Sequence, residues 1–289
     1  MLPSFFRPRI STNGRTISFV IGVFISCICL NSAVSPLQAQ SRLTAEDHQR
    51  RGKARYLKGD IEGAISDFDQ AIKLFAHAHA SGVTAVDPMA YLAFYNRGVL
   101  RRAQGDLEGA MADFNQAITI NPSYFQAYLH RGGLRFTTGD LDGALADFNK
   151  AVAIDPERVE AYNNRGLVWE ARGDVEAAIA DFSQAIALNP RCVEAYNNRG
   201  SARCVKNDLE GALADLNAAL TLNPRYARAY LNRGVVRLFR GQHAEAENDF
   251  RQAFALDEKL KAAMERRIKD LKHRLGNQPQ KEATDDRIR

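Results

Sequence analysis

One feature constrains the fold of this chain more than any other: residues of the same type recur every 34 positions. The recurring residues are Pro88, Pro122, Pro156, Pro190 and Pro224; Gly98, Gly132, Gly166, Gly200 and Gly234; Ala110, Ala144, Ala178, Ala212 and Ala246; and Phe114, Phe148, Phe182, Leu216 and Phe250. An earlier copy carries Gly52, Ala64 and Phe68, displaced by a 12-residue insert at about 76–87. Because similarity at a fixed period indicates stacked repeats, the sequence predicts six repeats over residues 43–257.

Each repeat predicts two helices joined by a tight turn. An Asn or Asp precedes most of the prolines, as in Asn121-Pro122, and we expect the first helix of each repeat to begin there. Gly-Asp pairs such as Gly105-Asp106 predict the turn, with Gly ending the first helix and Asp capping the second. The second helix carries an apolar stripe at three- and four-residue spacings that one pair cannot bury alone, so the copies must stack.

With these columns the chain resembles the tetratricopeptide repeat family, whose 34-residue helix–turn–helix unit has an aromatic residue, Gly, Ala, Phe and Pro at set offsets. One unit supplies these residues as Phe94, Gly98, Ala110, Phe114 and Pro122, and the next as Tyr128, Gly132, Ala144, Phe148 and Pro156. The resemblance covers about residues 43–275. It implies an all-α, right-handed superhelical solenoid whose inner helix face lines a concave, peptide-binding groove.

Two columns of arginine depart from the family pattern. The first column is Arg51, Arg97, Arg131, Arg165, Arg199 and Arg233; the second is Arg55, Arg101, Arg135, Arg203 and Arg237, with Trp169 in the remaining repeat. A matching column of Asp67, Asp113, Asp147, Asp181, Asp215 and Asp249 stands before the Phe position. One Asp for each Arg of the first column predicts Arg–Asp bridges between packed helices, since a partly buried ion needs a partner. The alternative is a cationic stripe that binds RNA.

Columns that change between repeats are the candidates for contact with a partner, because constant columns serve the repeat itself. The candidates lie on the first helices, and by the resemblance they line the groove: Tyr95, Asn96, Gln126, Leu129, Phe136, Glu160, Asn163, Asn164, Glu194, Asn197, Asn198 and Arg228. Amide side chains can donate to and accept from an extended peptide backbone. The alternative is that the Asn side chains only tie one helix to the next.

The N-terminal segment 1–39 predicts a cleaved secretory signal, because a cationic start precedes the apolar run from Ile17 to Leu30 and then small, turn-forming residues. This run has 14 residues, short of the roughly 20 that a spanning helix needs. We therefore expect an exported protein, periplasmic or secreted; the alternative is an uncleaved N-terminal anchor. Without the segment, 36 basic residues face 34 acidic ones, which argues against a protein attracted mainly to phosphate.

Other local signals are weak. Cys192 and Cys204 are predicted to stand near opposite ends of one helix, too far apart for a disulfide, and therefore to be free thiols. His77, His79 and Asp87 in the insert fit a solvated helix extension better than a metal site. The sequence carries no Gly-rich phosphate loop and no nucleophilic triad, so we expect neither enzymatic activity nor a cofactor.

The C-terminal end predicts a cap and a tail. Residues 258–275 form an amphipathic pattern that suits a capping helix, and residues 276–289 are polar and predicted to be disordered. The sequence as a whole predicts a non-enzymatic module that holds a peptide or partner protein in the cell envelope. The alternatives are a membrane-tethered assembly factor and an RNA-binding solenoid.

Overall fold

A computed structural model describes residues 43–80 and 89–276 of the chain, which are all-α. These residues form helices α1 Ala45–Leu57, α2 Ile61–Ala80, α3 Ala90–Gln104, α4 Leu107–Ile120, α5 Phe125–Thr138, α6 Leu141–Ile154, α7 Val159–Arg172, α8 Val175–Leu188, α9 Val193–Val205, α10 Leu209–Leu222, α11 Ala227–Phe239, α12 His243–Leu256 and α13 Glu258–Gly276. They fall into two compact units, here called the N-terminal unit (α1–α6, ending at Ile154) and the C-terminal unit (α7–α13, beginning at Asp155).

Within each unit, helices that follow one another in sequence pack together. In the N-terminal unit α1 packs on α2, α3 on α4 and α5 on α6, and these pairs are joined by contacts of α2 with α3 and α4 with α5. The C-terminal unit repeats this order from α7 to α12, and its odd-numbered helices also touch one another directly. The predicted fold class of stacked helix pairs is therefore confirmed.

The turn follows the predicted Gly-Asp chemistry in the pairs α3–α4, α5–α6 and α7–α8, whereas Gln242 before α12 makes no side-chain cap. Gly105 ends α3 with φ 88°, a left-handed conformation that L side chains rarely adopt. Asp106 then caps α4, and its Oδ1 accepts a hydrogen bond from the Gly109 amide at 2.8 Å. Asn207, with φ 64°, takes the place of Gly in one repeat, as expected of the residue that tolerates this conformation best after Gly.

The prediction that the first helices begin at the Asn-Pro and Asp-Pro pairs is wrong. The helices begin at Phe125, Val159, Val193 and Ala227, several residues after the prolines. Asn121 instead ends α4, and its Oδ1 accepts from the Ser123 amide two residues on, at 3.1 Å. An Asn or Asp side chain that bonds its backbone two residues ahead forms a turn, so these residues shape the connection between pairs.

The glycine column allows the two helices of a pair to approach closely. A Cβ added at Gly166 would lie 2.6 Å from the ring of Phe182, and one at Gly132 would lie 2.9 Å from the ring of Phe148. Both rings are completely or almost completely buried. Any larger residue in the glycine column would therefore separate the helices or displace the ring.

The six Arg–Asp bridges predicted from the first arginine column are all present. In each bridge the guanidinium donates through Nε and Nη2 to both carboxylate oxygens. Arg165 Nε donates to Asp181 Oδ2 at 2.8 Å, and its Nη2 donates to Asp181 Oδ1 at 2.7 Å. The equivalent pairs are Arg51–Asp67, Arg97–Asp113, Arg131–Asp147, Arg199–Asp215 and Arg233–Asp249. Two parallel bonds to a carboxylate are the strongest geometry that an arginine offers.

The second arginine column binds the same aspartates. The sequence pattern did not predict this second set of contacts. Arg135 Nη1 donates to Asp147 Oδ2 at 2.9 Å, and Arg237 Nη1 donates to Asp249 Oδ2 at 2.7 Å. Arg55, Arg101 and Arg203 make the same contact with their own aspartates. In the repeat where Trp169 replaces the second arginine, Asp181 is held by Arg165 alone within the C-terminal unit.

The remaining nitrogen of the first column joins one helix pair to the preceding one. Arg131 Nη1 donates to Asn115 Oδ1 at 2.7 Å, and Arg97 Nη1 donates to Asp69 Oδ1 at 2.6 Å. In the C-terminal unit, Arg199 reaches Ser183 and Arg233 reaches Asn217 in the same way. One guanidinium therefore links three helices.

Cys192 and Cys204 are free thiols, as predicted: Cys192 caps the start of α9, and Cys204 lies in its last turn. Helix α2 continues through His77 and His79 to Ala80. Predictions for residues 1–39, for the rest of the insert and for residues 277–289 lie outside the described residues. None of the helices in the described ranges has both the length and the apolar character needed to cross a membrane.

We predict that Arg165→Ala lowers the free energy of unfolding more than Arg131→Ala does. The first substitution leaves the buried Asp181 without a cation from its unit, whereas Asp147 keeps Arg135 after the second. Removing one partner of a buried pair costs about 3–5 kcal/mol, and a second partner should reduce that loss by about half. Chemical unfolding of both variants measures the difference; equal losses would contradict the shared-carboxylate arrangement.

Candidate functional site

The variable columns of the C-terminal unit lie on one side of the odd-numbered helices, here called the odd-helix face. On α7 it consists of Glu160, Asn163, Asn164, Leu167 and Glu170, on α9 of Glu194, Asn197, Asn198, Ser201 and Cys204, and on α11 of Arg228, Leu231, Asn232, Val235 and Leu238. Part of the face is covered, because Leu231, Val235 and Leu238 are buried in one cluster with Ile268 and Leu271 of α13. In each helix these residues are spaced by three and four positions, which places them on one side of the helix. Because α7 touches α9 and α9 touches α11, the three stripes lie side by side.

A chain of amide hydrogen bonds crosses this face. Asn198 Nδ2 donates to Asn163 Oδ1 at 3.0 Å, and Asn197 Nδ2 donates to Asn198 Oδ1 at 3.1 Å. Asn232 Nδ2 continues the chain to Asn197 Oδ1 at 2.9 Å. These asparagines therefore tie α7, α9 and α11 together, which is the helix-tying role that the sequence left open beside partner contact.

The amide nitrogen of Asn164 is buried with no hydrogen-bond partner. Only 8% of the residue is exposed. The Asn96 amide nitrogen, at the equivalent position in α3, is also buried and unpaired. A buried donor without an acceptor costs about 1–3 kcal/mol. An acceptor that reached either amide would recover this free energy.

Glu170 is a buried carboxylate in one of the variable columns of the first helices. The residue is 8% exposed, and its Oε1 accepts a hydrogen bond from Ser201 Oγ at 3.4 Å. Burial raises the pKa of Glu170 from 4.5 to about 7, and the Ser201 hydroxyl opposes this rise only in part. The depth of this position could not be read from the sequence, because its equivalents are Arg102, Phe136, Cys204 and Leu238.

Charged side chains occupy the N-terminal ends of the three stripes. Glu160, Glu194 and Arg228 are exposed there. Burial raises the pKa of the Cys192 thiol, and the negative charges of Glu194 and Glu160 add to that rise. The two carboxylates therefore act together on one region of the face.

In the N-terminal unit, Tyr95 and His130 stand at positions that hold asparagine in the C-terminal unit. Tyr95 packs edge-on against Tyr124 and His130, with ring centres 5.1 and 5.3 Å apart, and its hydroxyl lies 3.1 Å from His130 Nε2. Burial raises the pKa of Tyr95 to about 12 and lowers that of His130 to about 3, so both side chains are neutral at physiological pH. Gln126, Leu129 and Phe136 are half-buried on α5.

Comparisons with known proteins identify the repeat. Profiles described as tetratricopeptide repeat match residues 129–190 and 227–260, and one described as TPR repeat matches residues 98–139 and 200–238. Together these matches cover more than half of the chain. The chain belongs to the tetratricopeptide repeat family. The matches do not reach the first helix pair, so the count of six repeats stays a prediction.

Solved structures of tetratricopeptide repeat proteins share the fold. A tetratricopeptide repeat protein from Parabacteroides merdae ATCC 43184 is 22% identical, with a TM-score of 0.62 over 82% of this chain and 94% of that one. YrrB, titled a TPR protein with an unusual peptide-binding site, is 21% identical, with a TM-score of 0.51 over 67% and 97%. MamA is 25% identical, with a TM-score of 0.52 over 61% and 96%. No protein with a curated description matched.

The arginine columns of this tetratricopeptide repeat protein are used inside the fold. Each guanidinium of the first column from Arg97 onward also lies over the aromatic ring three residues earlier, at 5.4–5.8 Å from its centre. Their donors bind the aspartate column, as described above. The stripe of cations that suggested RNA binding is therefore a set of internal bridges. Among the described residues, no group of His, Cys, Asp and Glu is arranged to hold a metal ion.

We predict that Glu170→Gln stabilises the fold, and more strongly at pH 8 than at pH 5.5. The folded protein keeps the Glu170 proton at pH values where the unfolded chain has lost it, because the pKa is raised from 4.5 to about 7. The free energy of unfolding therefore falls as the pH rises between these values, and the whole penalty, about 3 kcal/mol, is present well above pH 7. Gln carries no charge, so the variant does not incur this penalty.

Chemical unfolding of both proteins at the two pH values measures this effect. Taking the difference between wild type and variant at each pH cancels the titration of all other groups. A stability difference that does not change with pH would show that Glu170 titrates normally.

Proposed function

We propose that this protein is a non-enzymatic protein-interaction module that holds an extended segment of a partner on its odd-numbered helices. Tetratricopeptide repeat proteins bind peptides or proteins, and that coarse role follows from the family. The finer proposal is that the odd-helix face of the C-terminal unit is a contact surface. In the N-terminal unit, the face formed by Tyr95, Asn96, Gln126, Leu129 and Phe136 is a second candidate.

The proposal rests on the different use of constant and variable positions of the repeat. The constant residues are used inside the fold: the glycines contact the Phe column, and the arginines bind the aspartates. The variable residues lie together on the odd-helix face, where the Asn164 amide is buried without an acceptor. The backbone carbonyl of an extended segment would supply that acceptor.

The amide chain on this face can take part in binding as well as in helix tying. Asn163 uses its oxygen to accept from Asn198, and Asn232 uses its nitrogen to donate to Asn197. Each amide group has two donor hydrogens and an oxygen with two lone pairs, so both side chains retain capacity for a partner backbone. Because these bonds fix the amide orientations in advance, binding would cost little additional side-chain entropy.

We predict that Asn163→Ala combined with Asn197→Ala weakens partner binding by about 1–3 kcal/mol, because each truncation removes a group that pairs with a desolvated backbone. The probe is a peptide selected against the full-length protein from a random dodecapeptide library, with affinity measured by calorimetry. The free energy of unfolding of the variant should be lower by about 1–2 kcal/mol, since Asn198 and Asn232 lose their acceptors.

The matched control is Gln184→Ala combined with Gln252→Ala, which removes two exposed amides from even-numbered helices of the same unit. The control should leave the peptide affinity unchanged. Equal affinity for the wild type, the Asn variant and the control would move the binding surface away from the odd-helix face.

We also propose that the protein is exported, periplasmic or secreted, on the strength of the signal-like segment 1–39. The protein recovered from its native source should then begin near Gln40. An intact mass that includes residues 1–39 would support the alternative, a membrane-tethered assembly factor.

A further inference from the structure

Glu170 is a buried acid that pairs with no cation among the described residues of the C-terminal unit. Burial is the largest cause of its raised pKa, and no charged side chain contributes. The cations nearest to it in the chain and on the neighbouring helix are already engaged. Arg172, two residues on, lies over the ring of Trp169 at 5.8 Å from its centre, Arg199 and Arg203 both bind Asp215, and Lys206 pairs with Glu176 at 2.7 Å. Its one side-chain hydrogen bond is the 3.4 Å contact from Ser201, which carries no charge.

The odd-helix face carries more negative than positive charge, and its two exposed carboxylates lie at its N-terminal end, about three helical turns from Glu170. Across the three stripes of the odd-helix face there are three carboxylates, Glu160, Glu170 and Glu194, against the single cation Arg228. Glu160 and Glu170 lie on the same side of α7, and the equivalent positions on α9 are Glu194 and Cys204. Cys204 stays neutral, because burial raises its pKa to about 12. A positively charged group that approaches this face therefore meets an excess of negative charge.

We propose that Glu170 and Ser201 form a subsite for a lysine or arginine side chain of the bound partner. This proposal rests on the proposed function, and it assigns the chemistry of the partner: a segment with a basic residue that enters between α7 and α9. The cation would supply the counter-charge that the unit lacks at Glu170. The exposed Glu160 and Glu194 would attract the same segment from solution.

The competing reading is that Glu170 is a structural group, neutral at the pH of its surroundings and satisfied by Ser201. The two readings differ in what binding does to the acid. A structural glutamate makes no contact with a partner, so its loss leaves the choice of partner unchanged. A subsite glutamate selects partners by charge and binds them better when it is ionised.

The test uses the full-length protein and a phage library of random dodecapeptides, selected in parallel on the wild type and on Glu170→Gln. Gln keeps the volume of the side chain and an oxygen for Ser201, and it should fold at least as stably as Glu. Glu176→Gln on α8 is the matched control, because it removes one negative charge from the same unit outside the odd-helix face. Peptides from the wild type are expected to share a Lys or Arg at one position, and those from Glu170→Gln are not.

Affinities of a selected peptide and of its copy with norleucine at the basic position complete the test. The replacement should weaken binding tenfold or more to the wild type and to Glu176→Gln, but less than threefold to Glu170→Gln. An equal loss in all three proteins, or selected peptides without a shared basic residue, would overturn the subsite. If such peptides still depend on Asn163 and Asn197, the proposed function stands; if the selection yields no binding peptide, both proposals fall.

The pH dependence provides an independent readout. Glu170 must be ionised to pair with the cation, so the affinity of the wild type for the basic peptide should rise by about threefold or more from pH 6 to pH 8, and that of Glu170→Gln should not. On α8, Asp181 is bound by Arg165; on α9, the Arg199 and Arg203 guanidiniums are held by Asp215. A pH dependence that persists in Glu170→Gln would assign the effect to exposed Glu160 or Glu194 and would overturn the role of Glu170.

Discussion

The buried carboxylate of each repeat is the group on which the rest of the structure depends. Asp249, for example, is completely buried, and an acid at that depth is tolerated only when it is paired. Its two oxygens are held by Arg233 and Arg237, which come from the other helix of the pair. The carboxylate therefore sets the distance and rotation of the two helices, and the glycine at position 234 makes that distance possible by leaving room for the ring of Phe250.

The same bridge explains how pairs become a stack. Arg233 uses Nε and Nη2 for its own aspartate and still has Nη1 for Asn217 on the preceding pair. Lysine could not do this, because its single ammonium group has no planar fork that fixes three directions at once. The internal bridges therefore use the constant charged residues of the first helices. The chemistry of their exposed side is left to the residues that change between repeats.

Much of this architecture could be predicted from the sequence. The 34-residue period predicted the helix pairs, and the equal numbers of Arg and Asp predicted the bridges, because a repeated position reports on every copy at once. The prediction that the first helices begin at the Asn-Pro pairs was wrong. An Asn before Pro suits both a helix start and a turn in which the Asn side chain bonds the backbone two residues ahead, and only the positions of neighbouring helix pairs decide between them. The burial of Glu170 was out of reach for a similar reason: in the other copies its position holds Arg102, Phe136, Cys204 and Leu238, so repetition carries no information about its depth.

The repeat that contains Glu170 is also the one in which Trp169 replaces the second arginine. These two departures from the pattern are adjacent in sequence. An arginine at position 169 would bind Asp181, as Arg203 binds Asp215 in the next repeat. Trp169 carries no charge, and Asp181 keeps its bridge through Arg165 alone. This repeat therefore lacks the second arginine of the bridge and also holds Glu170, a carboxylate without a paired cation among the described residues. A cation supplied by another molecule would pair with Glu170.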